Sequence, residues 1–230
     1  MFMYYGSKGN VIDCYPAPKY NRIIEPFAGS ARYSLKHWKN DITIIDKYSV
    51  IADVWKYLQK STEKDILNLP KLKSGECIND FDLTDIEKKF LGFMIFVSGT
   101  TPTKKMTKFN GLVQNQHLSL RRIAKQLYKI RHWEIVEGDY DNYPNEEATW
   151  FIDPPYQFGG EHYKENNKKI DFVYLANWCK SRKGQVIVCE NTKATWMEFK
   201  PMKEMSGTVH KTIEAIWTNY DRQMQPKLFK

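Results

Sequence analysis

Four consecutive residues, Asp153, Pro154, Pro155 and Tyr156, combine groups suited to holding a flat ring that carries an exocyclic amine. They follow an apolar run, residues 149–152, that is typical of a buried strand. The carboxylate is a hydrogen-bond acceptor and the tyrosine ring is a stacking surface, while the prolines stiffen the turn and leave their carbonyls free to accept. The segment therefore predicts a site at a strand end. A Pro-Pro turn that only closes a core strand is the alternative.

Other chemistry-bearing residues follow predicted strands or lie near the start of the sequence. A turn of small residues lets backbone approach a ligand closely, although the triple-glycine dinucleotide spacing is absent. An acid that closes a strand suits the two hydroxyls of a ribose, and an acid beside an aromatic ring suits the amino edge of adenine. Each feature alone is also typical of an ordinary turn, cap or terminus. The segments are Tyr4 to Lys8, Glu25 to Ala31, Asp46, and Asp139 with Tyr140.

The elements around these segments alternate between strand and helix, which predicts a parallel sheet with crossover helices. Because ligands bind at the carboxyl ends of parallel strands, the segments are expected to meet at one edge. Helices are predicted at residues 32–38, at 50–58 and at 171–179. The predicted strands are residues 22–25, 42–46, 134–137, 149–153, 185–189 and 212–218.

The strand–helix rhythm breaks over residues 59–133, where loop signals surround a predicted helix at 85–97. Ser119 is predicted to cap a further helix. Its apolar positions are Leu120, Ile123, Leu127 and Ile130. We therefore predict an α/β domain formed by residues 1–58 and 134–230, interrupted by a mostly helical, basic subdomain at 59–133.

The net charge of +8 is concentrated in one segment. Residues 88–133 hold ten Lys and Arg and no Asp or Glu, so the rest of the chain carries 8 − 10 = −2. A solvated basic face is one interpretation, but the missing acids favour a polyanion-binding surface. Amides at 110 and 114–116 are further candidates for reading adenine edges. The expected nucleic-acid contacts are Lys104, Lys105, Lys108, Asn110, Arg121, Arg122 and Lys125.

The bulk composition excludes several classes of protein. Hydrophobic residues make up 42% of the chain, and no apolar run approaches the ~18 residues of a membrane span. No basic segment precedes a long apolar one at the N-terminus, so no signal peptide is expected. The four cysteines contain no Cys-x-x-Cys pair, so neither a metal site nor a disulfide framework is expected. These observations predict a cytoplasmic protein with reduced thiols, and they leave the oligomeric state open.

Taken in order, these motifs resemble the alpha class of S-adenosylmethionine-dependent DNA amino-methyltransferases, and more narrowly the Dam-like, D12-class adenine-N6 family. The resemblance covers residues 4–58 and 134–219, whereas the inserted segment matches only in position and charge. It implies a Rossmann-like class I methyltransferase sheet with an inserted DNA-recognition subdomain. It also implies S-adenosylmethionine as cofactor, double-stranded DNA as partner, and a bacterial or phage-encoded type of protein.

The resemblance also implies roles for individual residues. Asp153, Pro154, Pro155 and Tyr156 match the family's catalytic motif in full. Departures are Tyr4 in place of a tryptophan, and Ser7 and Ala31 in place of glycines, which bear on cofactor affinity. The implied cofactor-binding residues are Tyr4, Lys8, Glu25, Phe27, Ala28, Gly29, Asp46, Asp139, Tyr140 and Asp153.

The expected reaction is in-line methyl transfer to an aromatic amine whose lone pair is delocalised into its ring. Asp153 and the Pro154 carbonyl would each accept one N–H of that amine, and Tyr156 would stack on a base flipped out of the duplex. Three alternatives stay open: an N4-cytosine methyltransferase, an RNA substrate, and an inactive DNA-binding protein with a methyltransferase fold.

Overall fold

The protein has a mixed α/β fold built on a seven-stranded sheet. The structure, a computed structural model, describes residue 2 and residues 4–96, 99–107, 116–206 and 211–220. The strands are β1 (Arg22–Glu25), β2 (Asp41–Asp46), β3 (Glu134–Glu137), β4 (Ala148–Ile152), β5 (Gly184–Asn191), β6 (Lys200–Ser206) and β7 (Lys211–Thr218).

The strand order is β3-β2-β1-β4-β5-β7-β6. The first five strands in this order are parallel, which confirms the predicted parallel sheet for them. Strand β7 runs antiparallel to both β5 and β6. From β1 the chain adds β2 and β3 on one side, and it then places β4 and β5 on the other side of β1. This change of side is a topological switch point, which opens a crevice at the carboxyl ends of β1 and β4.

Strand β6 was not predicted from the sequence. It contains Pro201 and the charged residues Lys200, Lys203 and Glu204, and its register against β7 shifts between Pro201 and Lys203. Such residues are typical of an edge strand, because proline and charge discourage pairing on the free side. The same residues that protect β6 from pairing with another chain also remove the apolar pattern by which strands are predicted from sequence.

The described ranges contain six α-helices, several of which begin at capping side chains. Asp171 accepts hydrogen bonds from the N–H groups of Val173 and Tyr174, both at 3.0 Å. Thr62 and Thr84 each form a capping box with the acid three residues on. The helices are α1 (Arg32–Lys36), α2 (Ser49–Lys60), α3 (Glu63–Asn68), α4 (Asp85–Met94), α5 (Gln116–Ala124) and α6 (Phe172–Ser181).

Two helix boundaries in the basic segment differ from the prediction. Helix α5 begins at Gln116, so Ser119 lies inside it and is not its cap. The buried Gln116 amide accepts from Leu72 N–H at 2.9 Å and donates to the Pro70 carbonyl at 3.4 Å, which anchors the helix earlier than predicted. Helix α4 ends at Met94, before residue 97. The predicted apolar face of α5 is confirmed, and it continues through the 3₁₀ turn Leu127–Ile130.

The sheet is covered on both faces. Ile23 and Ile24 of β1 point to opposite faces and belong to two different hydrophobic clusters. Helix α6 contributes Leu175 to the cluster around Ile24. Segment 59–133 contributes buried residues such as Phe90 to the cluster around Ile23, so this segment shares a hydrophobic core with one face of the sheet. The predicted boundary after residue 58 falls inside α2, two residues before its end.

Candidate functional site

A cavity of about 300 Å³ lies at the carboxyl ends of β1, β2 and β4. This volume is in the range of sites that hold small molecules. Its walls come from segments far apart in the chain, among them the N-terminal residues and the turns after β1, β2, β3 and β4. The wall residues include all ten predicted to bind the cofactor: Tyr4, Lys8, Glu25, Phe27, Ala28, Gly29, Asp46, Asp139, Tyr140 and Asp153.

The turn after β1 forms one wall through its backbone. Gly29 has φ +45°, and a Cβ there would lie 3.0 Å from the Tyr4 ring, so both conformation and space favour glycine. The Trp55 indole donates to the Gly29 carbonyl at 2.9 Å, and Ala28 N–H donates to the Ile45 carbonyl at 2.9 Å. These bonds hold the turn against β2 and α2.

Asp46 closes β2, and both of its carboxylate oxygens accept backbone hydrogen bonds. Oδ2 accepts from Gly29 N–H and Oδ1 from Tyr48 N–H, each at 2.9 Å. Burial raises the pKa of Asp46 to about 6, against the lowering effect of these two bonds. Each oxygen has a second lone pair, so the carboxylate can also accept from hydroxyl groups of a ligand in the cavity.

An aromatic surface forms the wall beside Asp139. The Phe27 and Tyr140 rings lie 5.0 Å apart at 31°, and Tyr140 packs edge-on against Trp178 at 4.9 Å. Oδ2 of Asp139 is 2.5 Å from the half-exposed Lys47 ammonium. Lys47 was not among the predicted site residues. This wall therefore offers an aromatic surface next to a carboxylate that accepts from Tyr140 N–H at 2.9 Å and pairs with Lys47.

Glu25 closes β1 and is buried. Its Oε2 accepts from Ser34 N–H at 3.1 Å and from Ser34 Oγ at 2.5 Å. Burial raises the pKa of Glu25 to about 8, although the Ser34 bonds lower it. Glu25 therefore fixes the start of α1 and is mostly uncharged at neutral pH.

Asp153 directly follows β4, and its Oδ1 lies 3.1 Å from the Lys8 ammonium. The same ammonium lies 3.3 Å from Oε1 of Glu214 on β7. Burial raises the pKa of Asp153 to about 6, with Lys8 lowering it and Glu214 raising it. Burial lowers the pKa of Lys8, but Asp153 and Glu214 outweigh burial and hold it above its ordinary value. Asp153 is therefore mostly ionised at neutral pH.

The rest of the predicted catalytic motif, residues 154–156, is divided between the cavity and the interior. Pro155 lines the cavity, whereas Pro154 is buried and is not among the wall residues. The Tyr156 hydroxyl is hydrogen-bonded to the Lys8 ammonium at 2.5 Å and to Glu214. Tyr156 is likewise not a wall residue, so its predicted stacking on a base stays a prediction.

The loop after the catalytic motif adds wall residues that the sequence did not indicate. Tyr163 packs its ring against Tyr4 and Tyr5, at 6.0 and 5.5 Å, and its hydroxyl donates to the Tyr5 carbonyl at 3.3 Å. A Cβ on Gly6, which has φ +72°, would collide with that hydroxyl. The N-terminal segment and this loop therefore form one continuous wall. In the sequence, the aromatic-glycine run at residues 4–6 was the one indication that this segment packs against another aromatic side chain.

The predicted nucleic-acid contacts lie on the basic segment, and those that the structure describes are exposed. They are Lys104, Lys105, Arg121, Arg122 and Lys125. Lys108 and Asn110, like residues 114 and 115, lie outside the described residues. Gln116 does not fit the proposed reading of base edges, because its buried amide is bonded within the protein.

One described side chain links the basic helix to the cavity. Arg32 lines the cavity, and its Nε donates to Ser7 Oγ at 2.8 Å. Burial lowers the pKa of Arg32, and the charge of Arg122 on α5 lowers it further. The positive charge on α5 therefore acts on a side chain that lines the cavity.

No protein-family model matches the chain, and a search of curated proteins finds no significant match. Across the described ranges, no group of three or more His, Cys, Asp or Glu side chains is placed to hold a metal ion. In the same ranges, no helix combines the length and apolar character needed to cross a membrane. The functional conclusion therefore depends on the cavity and on the charges around it.

Proposed function

We propose that this protein is a DNA methyltransferase that uses S-adenosylmethionine to methylate the N6 amine of a flipped-out adenine. The observation that carries the proposal is the single cavity lined by Asp153 and by every residue that the family resemblance assigns to the cofactor. Its position at the switch point between β1 and β4 supports a Rossmann-like class I sheet, because nucleoside cofactors bind at such points.

The residues around the cavity fit the cofactor. Phe27 and Tyr140 would hold its adenine ring, Asp139 the adenine amine, and Asp46 the ribose hydroxyls. The missing side chain of Gly29 leaves room beside the Tyr4 ring. When bound, S-adenosylmethionine supplies an electrophilic methyl group on a positively charged sulfur.

The protein's own contribution is to hold and activate the target amine. Oδ2 of Asp153 would accept one N–H and the Pro154 carbonyl the other, which concentrates the lone pair on the nitrogen and orients it. Asp153 is suited to this because it is mostly ionised above pH 6. Once the nitrogen gains a methyl group it must lose a proton, and the Asp153 carboxylate is the adjacent acceptor.

The DNA would lie across the basic segment, residues 88–133, which forms part of the predicted target-recognition subdomain at 59–133. Arg121 and Arg122 on α5 and Lys125 directly after it are exposed and suited to phosphate contacts, which fix the register of a duplex. The effect of the Arg122 charge on the pKa of Arg32, a cavity residue, supports a path from this face to the cavity. Flipping the base out of the stack costs a few kcal/mol, which these contacts would offset.

The test is to incubate the purified protein with plasmid DNA and S-adenosylmethionine, and to sequence the modified bases. We expect N6-methyladenine at a defined motif, with a loss of at least ~10² in rate for Asp153→Ala. Asp41→Ala, at the opposite end of β2, is the matched control and should retain the activity. If N4-methylcytosine is found instead, the target base is cytosine and the protein is an N4-cytosine methyltransferase. Binding of DNA without any methylation would favour the inactive DNA-binding protein.

A further inference from the structure

Glu214 is a buried acid on β7 whose carboxylate faces the catalytic motif. Its side chain shares a strand face with the buried Ile216, and its Oε1 accepts from the Tyr15 hydroxyl at 2.6 Å and from the Tyr156 hydroxyl. The same oxygen lies 3.3 Å from the Lys8 ammonium. A buried carboxylate of this kind is costly to maintain unless it is paired and hydrogen-bonded, as Glu214 is.

Lys8 is therefore shared between two carboxylates. Its ammonium is 3.1 Å from Asp153 and 3.3 Å from Glu214, and it also donates to the Tyr156 hydroxyl. With all three groups ionised, the cluster of Lys8, Asp153 and Glu214 carries a charge of −1. Without Glu214, the ammonium would pair with Asp153 alone and compete with a substrate amine for its oxygens.

We propose that Glu214 is a positioning residue, which holds the Lys8 ammonium and the Tyr156 hydroxyl so that Oδ2 of Asp153 stays available for the target amine. Lys8 contacts Oδ1 of Asp153, and within the described part of the chain Oδ2 has no hydrogen-bond donor. The net negative charge that Glu214 leaves on the cluster also complements a cationic methyl donor. This inference rests on the proposed function.

Removing the Glu214 charge has a predictable effect on Asp153. Two like charges near one another raise the pKa of an acid, so Glu214→Gln should lower the pKa of Asp153. Glutamine keeps the volume and an acceptor oxygen for Tyr15. Among the described residues, the titratable and charged groups that interact electrostatically with Asp153 are Lys8, Tyr15, Glu25, Tyr156, Tyr163, Cys189, Glu190 and Glu214.

The first measurement uses the protein without cofactor. Aspartate carboxyl carbons are labelled with ¹³C and titrated by NMR, and Asp153 is assigned from the signal that Asp153→Asn removes. We expect a midpoint near pH 6 in the wild type and about one pH unit lower in Glu214→Gln. Tyr15→Phe is the matched control, because it removes one hydrogen bond to Glu214 without removing its charge. The titration midpoint of Asp153 in Tyr15→Phe should equal that of the wild type.

The second measurement is methyl transfer as a function of pH. Glu214→Gln should lower kcat by about tenfold to a hundredfold, with the KM for DNA and the Kd for S-adenosylmethionine within about twofold of the wild type. The acidic limb of its kcat profile should move to lower pH. A variant that lost activity through packing alone would not move that limb.

An Asp153 midpoint and a kcat that are both unchanged in Glu214→Gln would overturn the inference. If that variant does not fold, Glu214→Asp replaces it: the retained charge should keep the Asp153 midpoint, while the shorter side chain should lower kcat. A Glu214→Asp protein with wild-type kcat would equally overturn it. A wild-type protein that methylates no DNA would overturn the proposed function, and the NMR midpoint would then still decide whether Glu214 controls the charge of Asp153.

Discussion

The backbone N–H of Gly29 donates a 2.9 Å hydrogen bond to Oδ2 of Asp46, so the turn after β1 is tied to the last residue of β2. The same carboxylate faces the cavity. Asp46 therefore combines two functions, because it fixes the shape of one wall and presents acceptor atoms to whatever the cavity holds.

Asp46→Ala should weaken S-adenosylmethionine binding by about tenfold or more, since a hydrogen bond to a charged group contributes about 1.5–3 kcal/mol. DNA affinity should change by less than about twofold. Titration calorimetry measures the first and fluorescence anisotropy the second. Asp41→Ala, at the exposed start of the same strand, is the control and should bind the cofactor normally. An unchanged cofactor Kd would remove Asp46 from the site.

Glu25 predicts a specific dependence of stability on pH. Burial raises its pKa from 4.5 to about 8, so the folded state holds a proton that the unfolded state releases. The stabilisation is fully present below pH 4.5 and is lost as the pH rises through 8. Glu25→Gln cannot lose this proton, so its free energy of unfolding should fall less than that of the wild type between pH 5 and 8.5. Urea denaturation at both pH values measures the difference, and parallel curves would contradict the prediction.

Ala31 has φ +43°, a left-handed conformation that costs a non-glycine residue roughly 1–2 kcal/mol. Ala31→Gly removes this strain, but it also removes a buried methyl group, whose burial stabilises the folded state by about 0.8 kcal/mol. We therefore expect a change near zero in the free energy of unfolding. Ala52→Gly, an equally buried alanine inside α2, should cost about 2 kcal/mol, because helix propensity and burial then add. Equal losses in chemical denaturation would show that position 31 is not strained.

The basic segment predicts a salt-dependent interaction with DNA. Replacing Arg121, Arg122 and Lys125 together with Gln should weaken DNA binding and reduce the log–log salt slope by about 2.7, since each phosphate contact contributes about 0.9. The same is expected for Lys104, Lys105 and Lys108. The control removes the same number of exposed lysines outside the basic segment: Lys39, Lys180 and Lys183. If the control variant shows an equal reduction in the salt slope, the interaction depends on the overall positive charge of the protein and not on a specific surface.

The part of the site built from strand ends could be predicted from the sequence, and for a physical reason. Apolar runs such as Ile42–Asp46 mark both the strand and the point where it stops. Parallel strands then bring their carboxyl ends to one edge, so Asp46 and Asp153 are expected at the same edge once both strands are identified, and both line the cavity.

Glu214 could not be predicted in the same way, because its position depends on how β7 enters the sheet. Strand β7 is antiparallel and lies between β5 and β6, an order that no local pattern specifies. A weak signal existed: an acid on the strand face that carries the apolar Ile216 is unusual unless it is paired. Tyr163 escaped prediction because it lies in a loop without hydrophobic periodicity.

The pairing of Tyr15 with Glu214 joins residues 199 positions apart in the chain. A ribosome therefore delivers all the residues of the cavity wall before it delivers Glu214. Until Glu214 is added, Asp153 is the one of these two carboxylates that is present to pair with Lys8. The charge balance around Asp153 therefore depends on a residue that is synthesised after the whole cavity wall.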